Sequence, residues 1–283
     1  MTGHGGPGER EGGVEGEGQE GRDGREGAAP RSALVLVGRG RYADPWHDDA
    51  ATGHRVAGLL AARGLDVTVR GTAPDVLGPD DAAGEGGAAA AAGATGAPGT
   101  GAPSRPALLV VAAGTGRTDP AWDGDDAAWA AFHARLAALV GAGVPLLALH
   151  QAANTFTDAP GWADLVGGRW VPGLSMHPPI GEATFRPVPG ERHPVVAGLG
   201  PVRAFDERYC LLQPDPRSRV LLTTEHEGAD HPVVWQAPGP GRVLYDALGH
   251  DLRSYASEDR RALLAREVAW LLDGAPGGAD PAE

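Results

Sequence analysis

The sequence contains no lysine: all 24 basic residues among its 283 are arginine. A Schiff-base lysine, a pyridoxal-phosphate anchor and the lysine of a phosphate-binding P-loop are therefore excluded. Acidic residues outnumber basic ones, and a formal net charge of -13 denies the chain the basic face that nucleic-acid binding needs. The single cysteine, Cys210, rules out an internal disulfide or a multi-cysteine zinc site and is compatible with a reducing compartment. Between Tyr209 and Leu211-Leu212 it reads as a small core hydrophobe, not a reactive thiol. The glycine- and glutamate-rich N-terminal stretch carries no apolar h-region, and no later apolar run approaches the length of a membrane span. The expectation is a cytoplasmic protein without nucleic-acid or membrane partners, whose ligand is a small neutral or cationic molecule.

Several catalytic signatures are also missing. Neither Gly-x-Ser-x-Gly nor Gly-x-Cys-x-Gly occurs, which disfavours acyl transfer through a nucleophile at a strand-to-helix elbow. The sequence has no His-x-x-x-His or His-Glu-x-x-His, so a metal site would have to be assembled from distant loops. Gly38-Arg39-Gly40 and Gly114-Thr115-Gly116 follow strand-like runs, but neither completes the six-residue dinucleotide fingerprint. His-Pro-Val-Val occurs at 193–196 and again at 231–234; nothing longer repeats, and no solenoid follows.

What is present is an alternation of short apolar runs with helical periodicity. Strands are predicted over 33–37, 65–69, 107–111 and 145–149, with helices over 48–63 and 125–140, the pattern of βαβ units and a parallel sheet. Beyond Arg169 come short strand-like pieces at 183–187, 202–205, 219–224, 233–236 and 242–245, read as an antiparallel extension, with Pro238-Gly239-Pro240-Gly241 as a turn. A closing helix over 257–272 takes Ser257 as its N-cap and Glu258-Asp259 in its first turn. The fold expected is α/β and flavodoxin-like: a doubly wound, mainly parallel sheet flanked by helices. One domain over 32–273 is expected, with acidic and glycine-rich tails at 1–31 and 274–283 and a flexible Gly/Ala/Pro-rich insertion at 77–104.

The chemistry-bearing residues fall at strand ends. His150 follows Pro145-Leu146-Leu147-Ala148-Leu149, at the carboxyl edge where open α/β sheets bind ligands, with Gln151 and Asn154 in the same turn. His250 follows Leu248-Gly249 after a second apolar segment, with Asp251 placed to orient it and Tyr255 a helical turn away. His47 lies between the first strand and its helix, where Asp48 or Asp49 serves as N-cap. In Asp206-Glu207-Arg208-Tyr209, consecutive acids on an extended chain face opposite ways, so one of the two points into a site. His177, in a proline-rich loop, adds a further imidazole. The plainer alternatives are loop histidines bonded to backbone and a salt-bridged surface turn at 206–209. Histidines and a carboxylate at one edge can bind zinc or a similar divalent ion, or divide acid and base work, and spacing leaves both open.

Taken in order, these pieces resemble the ThuA-like (trehalose-utilisation) family, a branch of the class I glutamine amidotransferase-like fold. The resemblance rests on Phe205-Asp206-Glu207-Arg208-Tyr209, Val233-Val234-Trp235, Gly241-Arg242-Val243-Leu244-Tyr245 and Leu248-Gly249-His250. His47, Leu149-His150 and the segment His193 to Leu199 are further similar features. In the amidotransferase relatives a cysteine occupies the elbow; here it reads Ala148-Leu149-His150-Gln151-Ala152, so the resemblance implies the fold without glutaminase chemistry. It also implies a substrate related to trehalose or a keto-sugar. His150, His250, Glu207, Asp206 and His47 are then the candidate catalytic residues. Gln151, Asn154, His177, Tyr209 and Tyr255 are candidates for substrate binding, and His150 and His250 for a divalent metal such as zinc. Trp46, Trp170 and Trp235 are candidate sugar-stacking faces. The alternatives are a non-catalytic binding or regulatory protein whose histidines diverge, and a thiol enzyme built on an accessible Cys210. A homo-oligomer is compatible with the chain, though no pattern locates its interface.

Overall fold

The structure, a computed structural model, describes residues 1, 31–78, 105–118 and 123–274. The tails at 1–31 and 274–283 and the insertion at 77–104 fall almost wholly outside these residues. Leu77 and Gly78 are the described part of the insertion, and Leu77 packs in the core at 5% exposure. Its neighbour Val76 packs against the same core, so the chain stays anchored there by apolar burial.

The first half consists of β1 (Ser32–Val37), α1 (Asp49–Ala61), β2 (Asp66–Gly71), β3 (Leu108–Ala112), α2 (Asp126–Gly141) and β4 (Leu146–Leu149). Both helices begin at side-chain caps: Asp48 accepts from the Ala51 N–H and Asp125 from the Ala128 N–H. The buried residues of α2, Trp129, Phe132, Leu136 and Val140, recur at helical spacing and form one stripe. A short α3 (Trp162–Val166) and β5 (Gly168–Arg169) follow, then β6 (Gly181–Pro187), β7 (Val202–Asp206), β8 (Gln213–Pro214), β9 (Arg219–His226), β10 (Ala229–Gln236), β11 (Val243–Asp246) and α4 (Glu258–Asp273).

Among the described residues nine strands form one sheet in the order β2-β1-β3-β4-β11-β10-β9-β6-β7, and β5 pairs with β8 separately. From β2 through β11 every pairing is parallel, and the order 2-1-3-4 with β11 in fifth place is the flavodoxin arrangement. The pairings from β11 to β7 are all antiparallel. The expected doubly wound sheet with an antiparallel extension is thus the observed one. Residues 33–37, 108–111 and 146–149 are all buried, which requires cover on both faces and explains their uninterrupted apolar runs.

The β9–β10 hairpin departs from the sequence reading, with β10 starting at Ala229, well before 233. Its loop is Glu227-Gly228, both at positive φ (51° and 79°), the conformation that suits the twist of a two-residue hairpin and extends the ladder outward. Pro232 is accommodated within β10 beside a register shift, because it has no N–H to give to the ladder. Among the described residues no helix is long and apolar enough to cross a membrane.

Candidate functional site

Four elements bring side chains to the carboxyl edge of the parallel strands. His47 lies between β1 and α1, His150 directly follows β4, Glu207 follows β7, and His250 follows β11. His150 opens a short 3-10 turn at φ 46°, a left-handed conformation rare for a residue with a side chain, and Tyr245 of β11 donates its hydroxyl to the His150 carbonyl at 2.8 Å. Gly249 sits at φ 118°, and a Cβ there would stand 2.3 Å from the Tyr255 hydroxyl oxygen. Both the backbone conformation and the close approach require glycine at this position.

The side chains converge. His47 Nε2 and His150 Nε2 are 3.1 Å apart, His150 Nε2 is 3.5 Å from Glu207 Oε2, and His250 Nδ1 is 3.4 Å from the same oxygen. One ligand atom from each of the four residues lies within 4.8 Å of all the others. The cavity that His47, His150 and His250 help to line leaves about 10 Å³, near the lower limit for a single water. Glu207 Oε2 and His250 Nδ1 are buried without a hydrogen-bond partner among the described residues. Two imidazoles are oriented from behind. His150 Nδ1 donates to the Ala247 carbonyl at 2.7 Å, and His47 Nδ1 donates to Asp44 Oδ1 at 2.8 Å, so both Nε2 atoms face the cluster.

The electrostatics favour positive charge on His150. Burial alone would depress the His150 imidazole, but Glu207 and Asp206 beside it raise its pKa above the ordinary value. Burial pushes Glu207 upward, yet His150 and His250 hold it well below the usual carboxylate range. His47 is depressed, chiefly by burial, which outweighs the Asp44 contact. Asp44 is itself pushed up by burial but held down to about 2 by His47 and Gln151. Burial drives Asp49, which lines the same cavity, up to about 7.

The other candidates divide. Tyr209 joins the site: its hydroxyl lies 3.1 Å from His150 Nε2 and its ring packs on that imidazole, centroids 4.5 Å apart. His177 stands at the rim, partly exposed, with Nδ1 3.4 Å from Glu207 Oε1 and 3.1 Å from the Pro178 carbonyl. Gln151 donates its amide to Asp44 and lies 2.5 Å from His47 Nδ1, which makes it a support for His47. Tyr255 lines the cavity beneath Gly249 and is buried.

Asp206 does not face the histidines. Its Oδ1 accepts from the N–H groups of Glu207 and His250, and its Oδ2 from Gly249 N–H and Ser254 Oγ. Asn154 caps the turn after His150 with its backbone and does not line the cavity beside the histidines. Asp251 turns away to bind Arg253, so Glu207 is the carboxylate beside His250. Trp235 is fully buried, its indole N–H donating to the Val166 carbonyl, and offers no face to a ligand. Cys210 is 1% exposed with its thiol on the Arg208 carbonyl, and burial pushes its pKa up, as expected of a core residue. Sequence reasoning missed Asp44. Its signal is local: Asp44 Oδ1 also accepts from the N–H groups of Trp46 and His47, an Asx turn three residues before an imidazole.

A flavodoxin-like α/β protein with a three-histidine, one-carboxylate cluster at its sheet edge is therefore what the fold and site define. The family profile described as "ThuA: Trehalose utilisation" matches residues 115–271, more than half of the chain, and the protein belongs to that family. Its structure is similar to a ThuA-like protein from Parabacteroides merdae, at 17% identity, 87% coverage of this chain, 91% of the other and a TM-score of 0.61. It is also similar to a ThuA-like protein from Bacteroides uniformis, at 15% identity, covering 86% and 92% with a TM-score of 0.59. A glutamine amidotransferase from Thermotoga maritima is a more remote likeness, at 10% identity, 86% and 98% coverage and a TM-score of 0.48. A comparison with curated proteins gives no match.

Proposed function

We propose that this ThuA-family protein processes a trehalose-related or keto-sugar glycoside, using His47, His150, His250 and Glu207 to hold a divalent cation such as zinc. The observation that carries the proposal is the convergence of these four ligand atoms within 4.8 Å. Atoms at the corners of a zinc tetrahedron, each ~2.0–2.1 Å from the ion, stand roughly 3.3 Å apart; three of the six spacings here are 3.1, 3.4 and 3.5 Å, and the widest stays within 4.8 Å. The unpartnered Glu207 Oε2 and His250 Nδ1 and the carbonyl and carboxylate behind His150 and His47 fit the same purpose. The convergence also supports this reading over a binding protein that kept the cleft without chemistry, since His150 and His250 meet with ring centroids 5.5 Å apart.

When bound, the cation would supply Lewis-acid stabilisation of negative charge on a sugar oxygen. The chain's own groups do the rest. His177 Nδ1–H faces Glu207 Oε1 and the Pro178 carbonyl, so its Nε2 carries the lone pair at the rim. From there it takes the proton on the carbon beside the sugar carbonyl, and the C–H electron pair becomes the enolate. Return of the proton to a neighbouring carbon isomerises the sugar; movement of the pair onward breaks the glycosidic C–O bond, and the departing oxygen takes a proton. Tyr209, whose hydroxyl burial keeps protonated, is the adjacent donor. Glutaminase chemistry has no place in this reading, because the elbow residue is His150 and Cys210 is buried.

The test is metal content of the purified full chain by mass spectrometry, with turnover of keto-glycosides, for wild type, His150→Ala and Glu207→Gln. About one ion per chain is expected in wild type, with metal lost and turnover down by at least about a hundredfold in both variants. A wild type that takes up no divalent ion, or variants that match its turnover, would overturn the proposal.

A further inference from the structure

We infer that the cavity lined by Trp170 and Arg169 is a subsite for the second ring of a disaccharide, which makes these two specificity-determining residues. The inference rests on the carbohydrate reading above and adds where the larger part of the substrate lies.

Space carries the argument first. The cleft between the histidines leaves about 10 Å³, enough for an ion or a water and far too little for a sugar ring. Beside it, a cavity of about 440 Å³ is lined by Thr155, Phe156, Thr157, Trp162, Arg169 and Trp170, within the range of small-molecule sites. The two are mechanically joined. The Trp170 backbone N–H donates to the Ala153 carbonyl at 2.8 Å, which ties the main chain at Trp170 to the same short turn that His150 opens. The Trp170 ring packs edge-on against Tyr209, centroids 4.9 Å apart, and lies 6.2 Å from His177. One indole therefore borders both the proton-transferring groups and the cavity.

The wall chemistry matches a sugar. Pyranose rings present apolar C–H faces and hydroxyl edges, and an indole supplies a broad flat surface for the former at little conformational cost. Trp170 is half-buried, so part of that surface is held in place while part stays open. For the hydroxyls there is Arg169, whose guanidinium has no hydrogen-bond or ion-pair partner among the described residues and offers several donors in a fixed fork. Thr155 and Thr157 add hydroxyl-bearing side chains to the same wall. A wholly apolar ligand would leave these polar groups unused, and an isolated hexose at the cluster would leave the cavity empty.

The test compares kcat/KM for a keto-disaccharide and for the methyl glycoside of the same keto-hexose, in wild type, Trp170→Ala, Trp170→Phe and Arg169→Gln. Removing the indole should lower the disaccharide-to-methyl-glycoside ratio about tenfold, through KM, with partial recovery in Trp170→Phe and a smaller loss in Arg169→Gln. An unchanged ratio, or equal losses on both substrates, would overturn the subsite and leave the carbohydrate reading standing. If wild type turns over neither compound, that reading of the chemistry fails, and calorimetry with trehalose still decides the subsite. Binding that weakens about tenfold in Trp170→Ala supports it, and absence of binding to wild type overturns it.

Discussion

Asp206 and Glu207 are adjacent acids with opposite tasks, and the difference comes from the alternation of an extended chain. Glu207 faces the imidazoles. Asp206 faces the backbone of the loop that carries His250, where it accepts from the Gly249 and His250 N–H groups and the Ser254 hydroxyl, and it also accepts from the N–H of Glu207. It is a positioning residue, aiming His250 through the loop. Asp206→Ala should therefore destabilise the fold by about 3 kcal/mol or more, because several buried donors lose a charged acceptor at once. Glu207→Gln, nearly isosteric, should shift stability by no more than about 1 kcal/mol while abolishing metal uptake. Urea unfolding with metal analysis checks both; equal losses of stability in the two variants would refute this division.

Helix α4 shows how an element far from the chemistry supports it. Its buried stripe includes Arg260 and Glu267 alongside Leu263, Leu264, Val268 and Leu271. Arg260 pairs with Asp246 of β11 at 2.7 Å and stands 3.7 Å from Glu267, all three fully buried. Burial pushes both carboxyls up, Asp246 above its ordinary value and Glu267 well above it with Asp246 alongside, so the proton of the pair is favoured on Glu267 and the Arg260 cation faces the Asp246 anion. Asp246 in turn accepts from Leu248 N–H, and Arg260 donates to the Leu248 carbonyl, bracing the segment that ends in His250. Arg260→Met should cost roughly 3–5 kcal/mol by stranding the Asp246 charge, and replacing Asp246 and Glu267 with apolar residues as well should recover much of it. Thermal and urea unfolding of the single and triple variants decide the matter. Failure of the triple variant to regain stability would mean that the polar contacts themselves, and not the stranded charge, set the cost.

At the scale of the whole molecule, the family match covers residues 115–271, yet β1, α1 and His47 lie before it. β1 sits between β2 and β3 inside the sheet, so the fold and the placement of His47 both depend on the N-terminal segment. Stability against acid is also a property of the assembled molecule. His193, 2% exposed, is held down to about 4 by burial and by Arg219, and its Nδ1 accepts from the Val195 N–H. In the unfolded chain the imidazole titrates near its ordinary value of ~6.5. As pH falls below that value the unfolded state binds a proton that the native state refuses, so stability drops until about pH 4 is reached and levels off below it. The contribution at its limit is roughly 3 kcal/mol. His193→Asn should flatten the fall of the urea midpoint between pH 6.5 and 4.5, and an unchanged slope would exclude His193 as its source.

Much of this was legible along the chain. Buried parallel strands need short runs apolar on both faces, as in Leu146 to Leu149, and helices need caps such as Asp48, Asp125 and Ser257, so element type and order follow from local chemistry. The same locality put His47, His150, Glu207 and His250 at element ends, where side chains of a doubly wound sheet reach a ligand. Other questions depend on contacts between residues distant in sequence. Whether Asp206 or Glu207 faces the imidazoles, whether Trp170 or Trp235 borders a cavity, and which carboxylate stands behind His47 were settled by strand register and loop packing. The sequence by itself determined which chemical groups come to this edge of the sheet. Only the tertiary structure decided which of them point at one another, because one residue of register turns a side chain from the cleft into the core.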